Sequence, residues 1–155
     1  YLADKFIERG FRKDVSLTTR PMRNKGEVDG LTYHYLSEEL FMRYVSDNKF
    51  YENVKHNNWR YGTLKTSWDT SDVFIMTPSG VASIKPEDRK DCIVVFIDIA
   101  EHIRKQRMGL RSDADKAERR IEADKKDFKG FIDYDYRIKT PTFDTDAWIG
   151  ILTRV

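Results

Sequence analysis

The sequence predicts an α/β protein built on a parallel sheet. Three observations carry this reading. Two continuous apolar runs, 73–76 (Val-Phe-Ile-Met) and 92–97 (Cys-Ile-Val-Val-Phe-Ile), have the length and β-branched content of strands covered on both faces. Each run leads into a helix signal. Thr77 precedes Pro78, an N-cap followed by proline at the first helical position, and Ile99, Ile103 and Arg104 open a helix from about residue 100. Strand, helix, strand, helix in this order implies parallel neighbours joined by right-handed crossovers.

The remaining elements follow in chain order. Leu2 with Phe6, and Ala3 with Ile7, form a helical stripe that Gly10 ends as a C-cap. The chain starts at Tyr1, without Met and without a capping residue, so the stretch is expected to begin inside an element whose start lies upstream. Residues 14–17 read as a short strand. Ser37 caps a helix of about ten residues, with Glu38 and Glu39 in its first turn and Leu40, Phe41, Tyr44 and Val45 on one face. Asp47-Asn48 closes it. Residues 50–55 and 59–61 form a hairpin across Asn57-Asn58, with Gly62-Thr63 expected to break the second strand. A short helix fits 65–72. The helix after Thr77 is expected to run to Ile84, with Pro86 as its stop signal. A helix is expected at 113–129, a strand at 134–138, and a final amphipathic segment, 147–155, capped by Asp144 or Thr145.

Composition narrows the function classes. At 155 residues the chain is expected to form one domain; 39% hydrophobic and 13% aromatic content argues for a packed core rather than disorder. A net charge of +2 makes the field of the whole molecule weak, so nucleic-acid binding is not expected and local clusters must carry any anion binding. The single cysteine, Cys92, excludes an internal disulfide framework and a cysteine zinc site; lying within an apolar run, it reads as a small core residue. No run approaches membrane-spanning length and no signal peptide is visible, so no membrane partner is expected and a cytoplasmic location is the default.

Two clusters of arginine stand out. Arg20 and Arg23 flank Pro21 on a loop that continues through Gly26, Glu27, Asp29 and Gly30 to the alternating run Tyr33-His34-Tyr35. Guanidinium groups hold phosphate oxygens bidentately, and such charge-assisted bonds are worth about 1.5–3 kcal/mol each. Two arginines alone are as compatible with a basic surface loop. Further on, residues 101–129 hold ten Lys or Arg and seven Asp or Glu, with Gly109 interrupting them. Mixed signs at three- and four-residue spacing usually mark a solvated helix face. Arg107, Arg111, Arg119 and Arg120 around a glycine also fit an arginine lid.

Ser16-Leu17-Thr18-Thr19-Arg20-Pro21-Met22-Arg23, then Gly26-Glu27-Val28-Asp29-Gly30 and Tyr33-His34-Tyr35, resembles the guanylate kinase signature, S-x-T-T-R-x-x-R followed by G-E-x-x-G-x-x-Y-x-F. Phe50-Tyr51-Glu52 is similar to that family's F-x-E segment, and Tyr61-Gly62-Thr63 to its Y-G-T/S. The resemblance spans most of the chain and is strongest over 16–63. It implies a P-loop nucleoside-monophosphate-kinase-like three-layer fold: a core of residues 1–16, 72–106 and 121–155 on a central parallel sheet, a small mixed-β subdomain for GMP at 17–71, and a helical lid at 107–120. It implies that Ser16, Arg20, Arg23, Tyr33 and Tyr61 hold the phosphate of GMP or dGMP, while Glu52 and Thr63 recognise the guanine. A phosphomonoester close to doubly charged suits two guanidiniums and phenol donors, and the N–H donors of guanine suit a carboxylate. Arg107, Arg111 and Arg120 correspond to catalytic lid arginines that neutralise the transferring phosphoryl group, in a segment somewhat shorter than the family's. ATP with Mg²⁺ is the implied co-substrate, and a monomer or homodimer the expected state.

The sequence departs from the pattern in two places. No G-x-x-x-x-G-K-[ST] loop, whose backbone N–H groups, Lys and hydroxyl hold ATP and Mg²⁺, occurs in it. Ile75 and Thr77 stand where the family has the two acids of a D-x-D near nucleotide and metal. Three functions remain in view: a GMP kinase, a non-catalytic guanylate-kinase-like module for phosphopeptides, and a related kinase with relaxed base choice.

Overall fold

The computed structural model of the chain describes residues 2–23, 26–109 and 114–153, with side chains described at all of these except 108, 109 and 114–120. The chain divides into two units, Tyr1–Met76 and Thr77–Val155.

The first unit is built on a four-stranded mixed sheet in the order β2-β1-β4-β3. Helix α1 (Leu2–Glu8) ends as expected: Gly10 takes φ +89°, a left-handed conformation that suits glycine, and its N–H donates to the Ile7 carbonyl. Strand β1 (Leu17–Thr18) lies parallel to β2 (His34–Tyr35) on one side and antiparallel to β4 (Trp59–Leu64) on the other. Helix α2 (Glu38–Ser46) begins at Ser37, whose Oγ accepts from the Leu40 N–H at 3.1 Å. Its Phe41 is fully buried and stacks on Phe50, with ring centroids 4.5 Å apart. Leu17, Phe41 and Phe50 form the core, with Leu36, Tyr44, Val45 and Leu64 packed around them. The periodicity of 37–46 therefore does its work by laying one helix face on the sheet.

Strand β3 (Phe50–His56) and β4 form the expected hairpin, with Asn57 and Asn58 both at positive φ, the conformation a tight two-residue turn requires. Gly62-Thr63 does not break β4. Gly62 pairs with Asn53 and with Leu17, and the strand runs on to Leu64. Glycine is needed there for space: a Cβ would lie 2.7 Å from the Phe50 ring. The β3 ladder shifts register between Phe50 and Glu52, and Tyr51 stacks on Trp68 of α3 (Lys65–Thr70) at 3.9 Å. Of the expected strand at 73–76, only Val73 joins a bridge, parallel to Lys13, and Ile75 is 70% exposed.

In the second unit Thr77 caps α4 (Pro78–Ala82), its Oγ1 accepting from the Gly80 N–H at 3.2 Å. Pro86 opens α5 (Pro86–Arg89) at its first position instead of only stopping α4, because a residue without an N–H suits a helix start as well as it ends one. Strand β5 (Val95–Ile97) is shorter than the apolar run predicted, since only Val95–Ile97 pair, with β6 (Tyr136–Ile138), in a parallel ladder; Ile93 outside the strand and Ile97 within it are both exposed. Phe96 packs among Phe128, Phe131 and Tyr134. Helices α6 (Glu101–Gly109) and α7 (Ala114–Asp127) are tied by Arg104 to Asp124 and by Lys125 to Glu101. Asp144 caps α8 (Thr145–Leu152), accepting from the N–H groups of Asp146 and Ala147. No helix among the described residues is long and apolar enough to cross a membrane.

Candidate functional site

The mixed sheet of the first unit positions the predicted binding residues on three segments. Strand β1 delivers the chain into the arginine loop. Its anchor is Thr18-Thr19: the Thr18 hydroxyl donates to the Arg60 carbonyl at 2.9 Å, the Thr19 N–H donates to the same carbonyl, and Thr19 Oγ1 accepts from the Arg60 N–H. The two threonines of the T-T-R motif thus lock the loop to β4, which fixes where Arg20 leaves the sheet.

Arg20 is 7% exposed and held as a fork. Its Nη1 donates to Glu27 Oε2 at 3.0 Å and its Nη2 to Glu27 Oε1 at 2.7 Å, while Nη1 also reaches the Pro21 carbonyl. Glu27 Oε2 further accepts from the Arg23 N–H at 2.8 Å and from the Tyr35 hydroxyl at 2.9 Å. Burial alone would push the Glu27 carboxyl up, but the Arg20 fork, the Arg23 N–H and the Tyr35 hydroxyl hold it down to about 2. Burial likewise opposes the Arg20 charge, and the Glu27 hydrogen bonds and charge more than offset it, so its pKa is raised. The rings of Tyr33 and Tyr35 lie 5.4 and 5.7 Å from the guanidinium carbon, and Tyr61 meets Tyr33 edge-on at 5.9 Å. Arg23 stands half-exposed at the rim, with Nη1 3.9 Å from Glu27. The structure therefore brings Arg20, Arg23, Tyr33 and Tyr61 into one cluster.

Glu52 and Thr63 lie opposite each other on β3 and β4. Thr63 Oγ1 donates to Glu52 Oε1 at 2.9 Å, and both residues are buried. Burial raises the pKa of Glu52, with Thr63 pulling against it and the charge of Asp14 adding to it. Ser16, expected with the phosphate ligands, directs its hydroxyl to Asp14 Oδ2 at 2.5 Å.

The lid residues fall in the second unit. Arg107 lies in the last turn of α6 and its Nη2 donates to the Pro141 carbonyl at 2.7 Å. Arg111 lies outside the described residues, and Arg120 belongs to α7 with its side chain outside them. Among the described residues no group of three or more His, Cys, Asp or Glu could hold a metal ion. Thr77, in the place of an acid, uses its hydroxyl on the α4 N-terminus. With no phosphate-cradling glycine loop in the sequence either, these residues do not by themselves fit Mg²⁺–ATP.

Glu27 and Tyr35 stand within the family motif without a role assigned to them there, and Asp14 stands outside it; all three partner the site residues. For Glu27 a signal existed, an acid between two glycines seven residues after an arginine; for Asp14 there was none beyond a lone acid at a strand start.

A small mixed sheet that gathers guanidinium and phenol groups in one cluster, and a buried carboxylate with a hydroxyl in another, has the parts of a nucleoside-monophosphate-binding α/β protein. The comparisons with known proteins agree. The family model described as guanylate kinase matches residues 3–149. The chain is 31% identical over 154 residues to the guanylate kinase of Hydrogenovibrio crunogenus, covering 93% of this chain and 75% of that protein. It is 29% identical over 147 residues to the guanylate kinase of Rickettsia prowazekii, covering 88% and 73%. The crystal structure of guanylate kinase from Anaplasma phagocytophilum superposes with a TM-score of 0.75 at 21% identity, covering 99% of this chain and 77% of that one. The chain belongs to the guanylate kinase family and has its α/β fold.

Proposed function

We propose that this chain binds GMP or dGMP as the acceptor for the γ-phosphate of ATP, as a guanylate kinase. The observation that carries the reading is the buried Arg20 fork, ringed by Tyr33, Tyr35 and Tyr61, on the same sheet as the buried Glu52–Thr63 pair. Arg20 and Arg23 would take the phosphate, with Tyr33 and Tyr61 beside it, and Glu52 and Thr63 the guanine edge. Catalysis in such a site is positioning and charge neutralisation, with direct transfer between two phosphates and no covalent intermediate. Arg107, Arg111 and Arg120 are proposed to supply the neutralising charge. ATP with Mg²⁺ is the donor that family membership implies. Because the residues of this chain do not by themselves fit that group, no step is assigned to it, and this polypeptide alone is expected to turn over negligibly. A cytoplasmic setting, a monomer or homodimer, and no nucleic-acid or membrane partner go with this reading.

A second reading has one specific support. Thr77 in the place of a family acid favours a non-catalytic module that takes a phosphorylated peptide into the arginine cluster. Retention of a buried Glu52–Thr63 pair favours the nucleotide. Calorimetric titration of the chain with GMP and with a phosphoserine peptide separates the two, with AMP and UMP as controls for base choice. Heat from GMP and dGMP, and little from the peptide, is the expected result. Clear preference for the peptide would replace the kinase reading.

A further inference from the structure

A guanidinium carries five N–H donors in a planar fork, and two of its edges can each hold a pair of oxygens. In Arg20 the end of the fork is taken. Nη1 donates to the Pro21 carbonyl and to Glu27 Oε2, and Nη2 donates to Glu27 Oε1. Among the described residues the Nε–H and the second N–H of Nη2 meet no acceptor, and these two lie side by side on the other edge. A carboxylate and an incoming phosphate therefore need not compete for Arg20. One holds the end of the fork, and the other takes its side.

What fixes Glu27 then decides where that side edge lies. Glu27 stands on an irregular loop, and its Oε2 also accepts from the Arg23 N–H at 2.8 Å and the Tyr35 hydroxyl at 2.9 Å. Of the donors to Glu27 among the described residues, Tyr35 alone belongs to a strand. It pairs with Thr18 of β1, and its N–H donates to Asp29 Oδ1 at 3.0 Å. The phenol keeps its proton firmly, since burial and the bond to Glu27 raise its pKa against the pull of Arg20. The family pattern has phenylalanine at this place. Such a ring would leave Oε2 with its loop donors alone.

We propose that the Tyr35 hydroxyl is a positioning group of the phosphate site: by anchoring Glu27 to β2 it sets the Arg20 fork with its Nε–Nη2 edge ready for the phosphate of a nucleoside monophosphate. The proposal rests on the nucleotide reading above and adds a residue to which the resemblance gives no part in binding. Tyr35 acts through Glu27 and Arg20 and does not itself hold the phosphate. A guanidinium ordered in advance lowers the entropic cost of taking up the anion.

The test is a double-mutant cycle of Tyr35→Phe and Glu27→Gln, read by calorimetry with GMP at neutral pH. Tyr35→Phe removes one oxygen and gives the family's residue, so it is expected to fold. It should weaken GMP about 5- to 20-fold. In the Glu27→Gln background the same change should have little further effect, because the hydroxyl acts only through that carboxylate. In ¹⁵N NMR of the wild-type chain, saturating GMP should shift the Arg20 Nε–H resonance, and Tyr35→Phe should broaden the Nη signals that the fork holds in slow rotation. Wild-type GMP affinity in Tyr35→Phe overturns the proposal and leaves the nucleotide reading standing. An equal loss in both backgrounds overturns it by making Tyr35 a direct phosphate ligand. An Arg20 Nε–H that GMP does not move also overturns it, and decides the matter should Glu27→Gln not fold. No heat from GMP with the wild-type chain overturns the nucleotide reading and this proposal with it.

Discussion

At the arginine end of the mixed sheet both Glu27 oxygens are occupied, by Arg20, the Arg23 N–H and the Tyr35 hydroxyl. At the carboxylate end Asp14 and Glu52 each keep one buried oxygen unpaired. The two ends have opposite electrostatic outcomes: Glu27, partly buried, is held far below its ordinary pKa, while Asp14 and Glu52, more deeply buried, are raised above theirs. The difference separates a charge pair satisfied within the fold from carboxylates that the fold leaves partly unsatisfied. A satisfied ion pair orients its arginine before any anion arrives. A buried carboxylate oxygen without a donor weakens the fold that holds it.

The largest effect should come from breaking the satisfied end. Arg20→Ala leaves Glu27 buried without its fork, and a broken buried pair of this kind costs about 3–5 kcal/mol. Urea unfolding should show that loss together with loss of GMP binding. Arg20→Lys should recover little, because an ammonium cannot bridge both oxygens. A variant as stable as the wild type would show that the pair orients nothing.

Next in size is the pH dependence of the same pair. The Glu27 carboxyl falls from 4.5 to about 2 on folding, so its contribution is complete above pH 4.5 and disappears as pH drops towards 2. A shift of this size corresponds to about 3 kcal/mol at neutral pH. Glu27→Gln should therefore be less stable than the wild type at pH 7, with the gap closing as pH falls. Parallel stability curves from pH 7 to pH 3 would refute the assignment.

The smallest effect has the opposite sign and belongs to the other end. A carboxyl raised on folding opposes the folded state once pH rises through its folded pKa. Glu52→Gln should stabilise the nucleotide-free chain at neutral pH by about 1 kcal/mol, the scale of one unsatisfied buried group. The same variant should bind GMP more weakly. A destabilised Glu52→Gln would place Glu52 among the residues that hold the fold.

Elements with a local chemical cause were legible in the sequence. Ser37, Thr77 and Asp144 each cap the helix that follows, and Asn57-Asn58 makes the hairpin turn, because caps and turns depend on a few adjacent atoms. Features decided by distant neighbours were not. Gly62 read as a breaker, yet it sits within β4 because the Phe50 ring occupies the space of a Cβ. Pro86 read as a stop and opens a helix instead. At the site, the spacing of Arg20, Arg23, Tyr33 and Tyr61 was visible as a motif. The seven-residue reach from Arg20 to Glu27 across an irregular loop has no periodicity to announce it, and Asp14 acquires its burial and its Ser16 partner only on folding.

The hydrogen bond from Thr18 to Arg60 joins residues 42 apart, whereas β3 and β4 meet across a two-residue turn. A hairpin closes quickly and at small entropic cost; bringing β1 alongside it means closing a loop many times longer. Glu52, Tyr61 and Thr63 therefore share one locally closed ribbon, whereas the segment bearing Asp14, Ser16 and Arg20 joins it only through a long-range closure. Because that closure is long-range, a local opening of the β1–β4 seam would separate Arg20 from Glu52 and Thr63 while the hairpin stays intact.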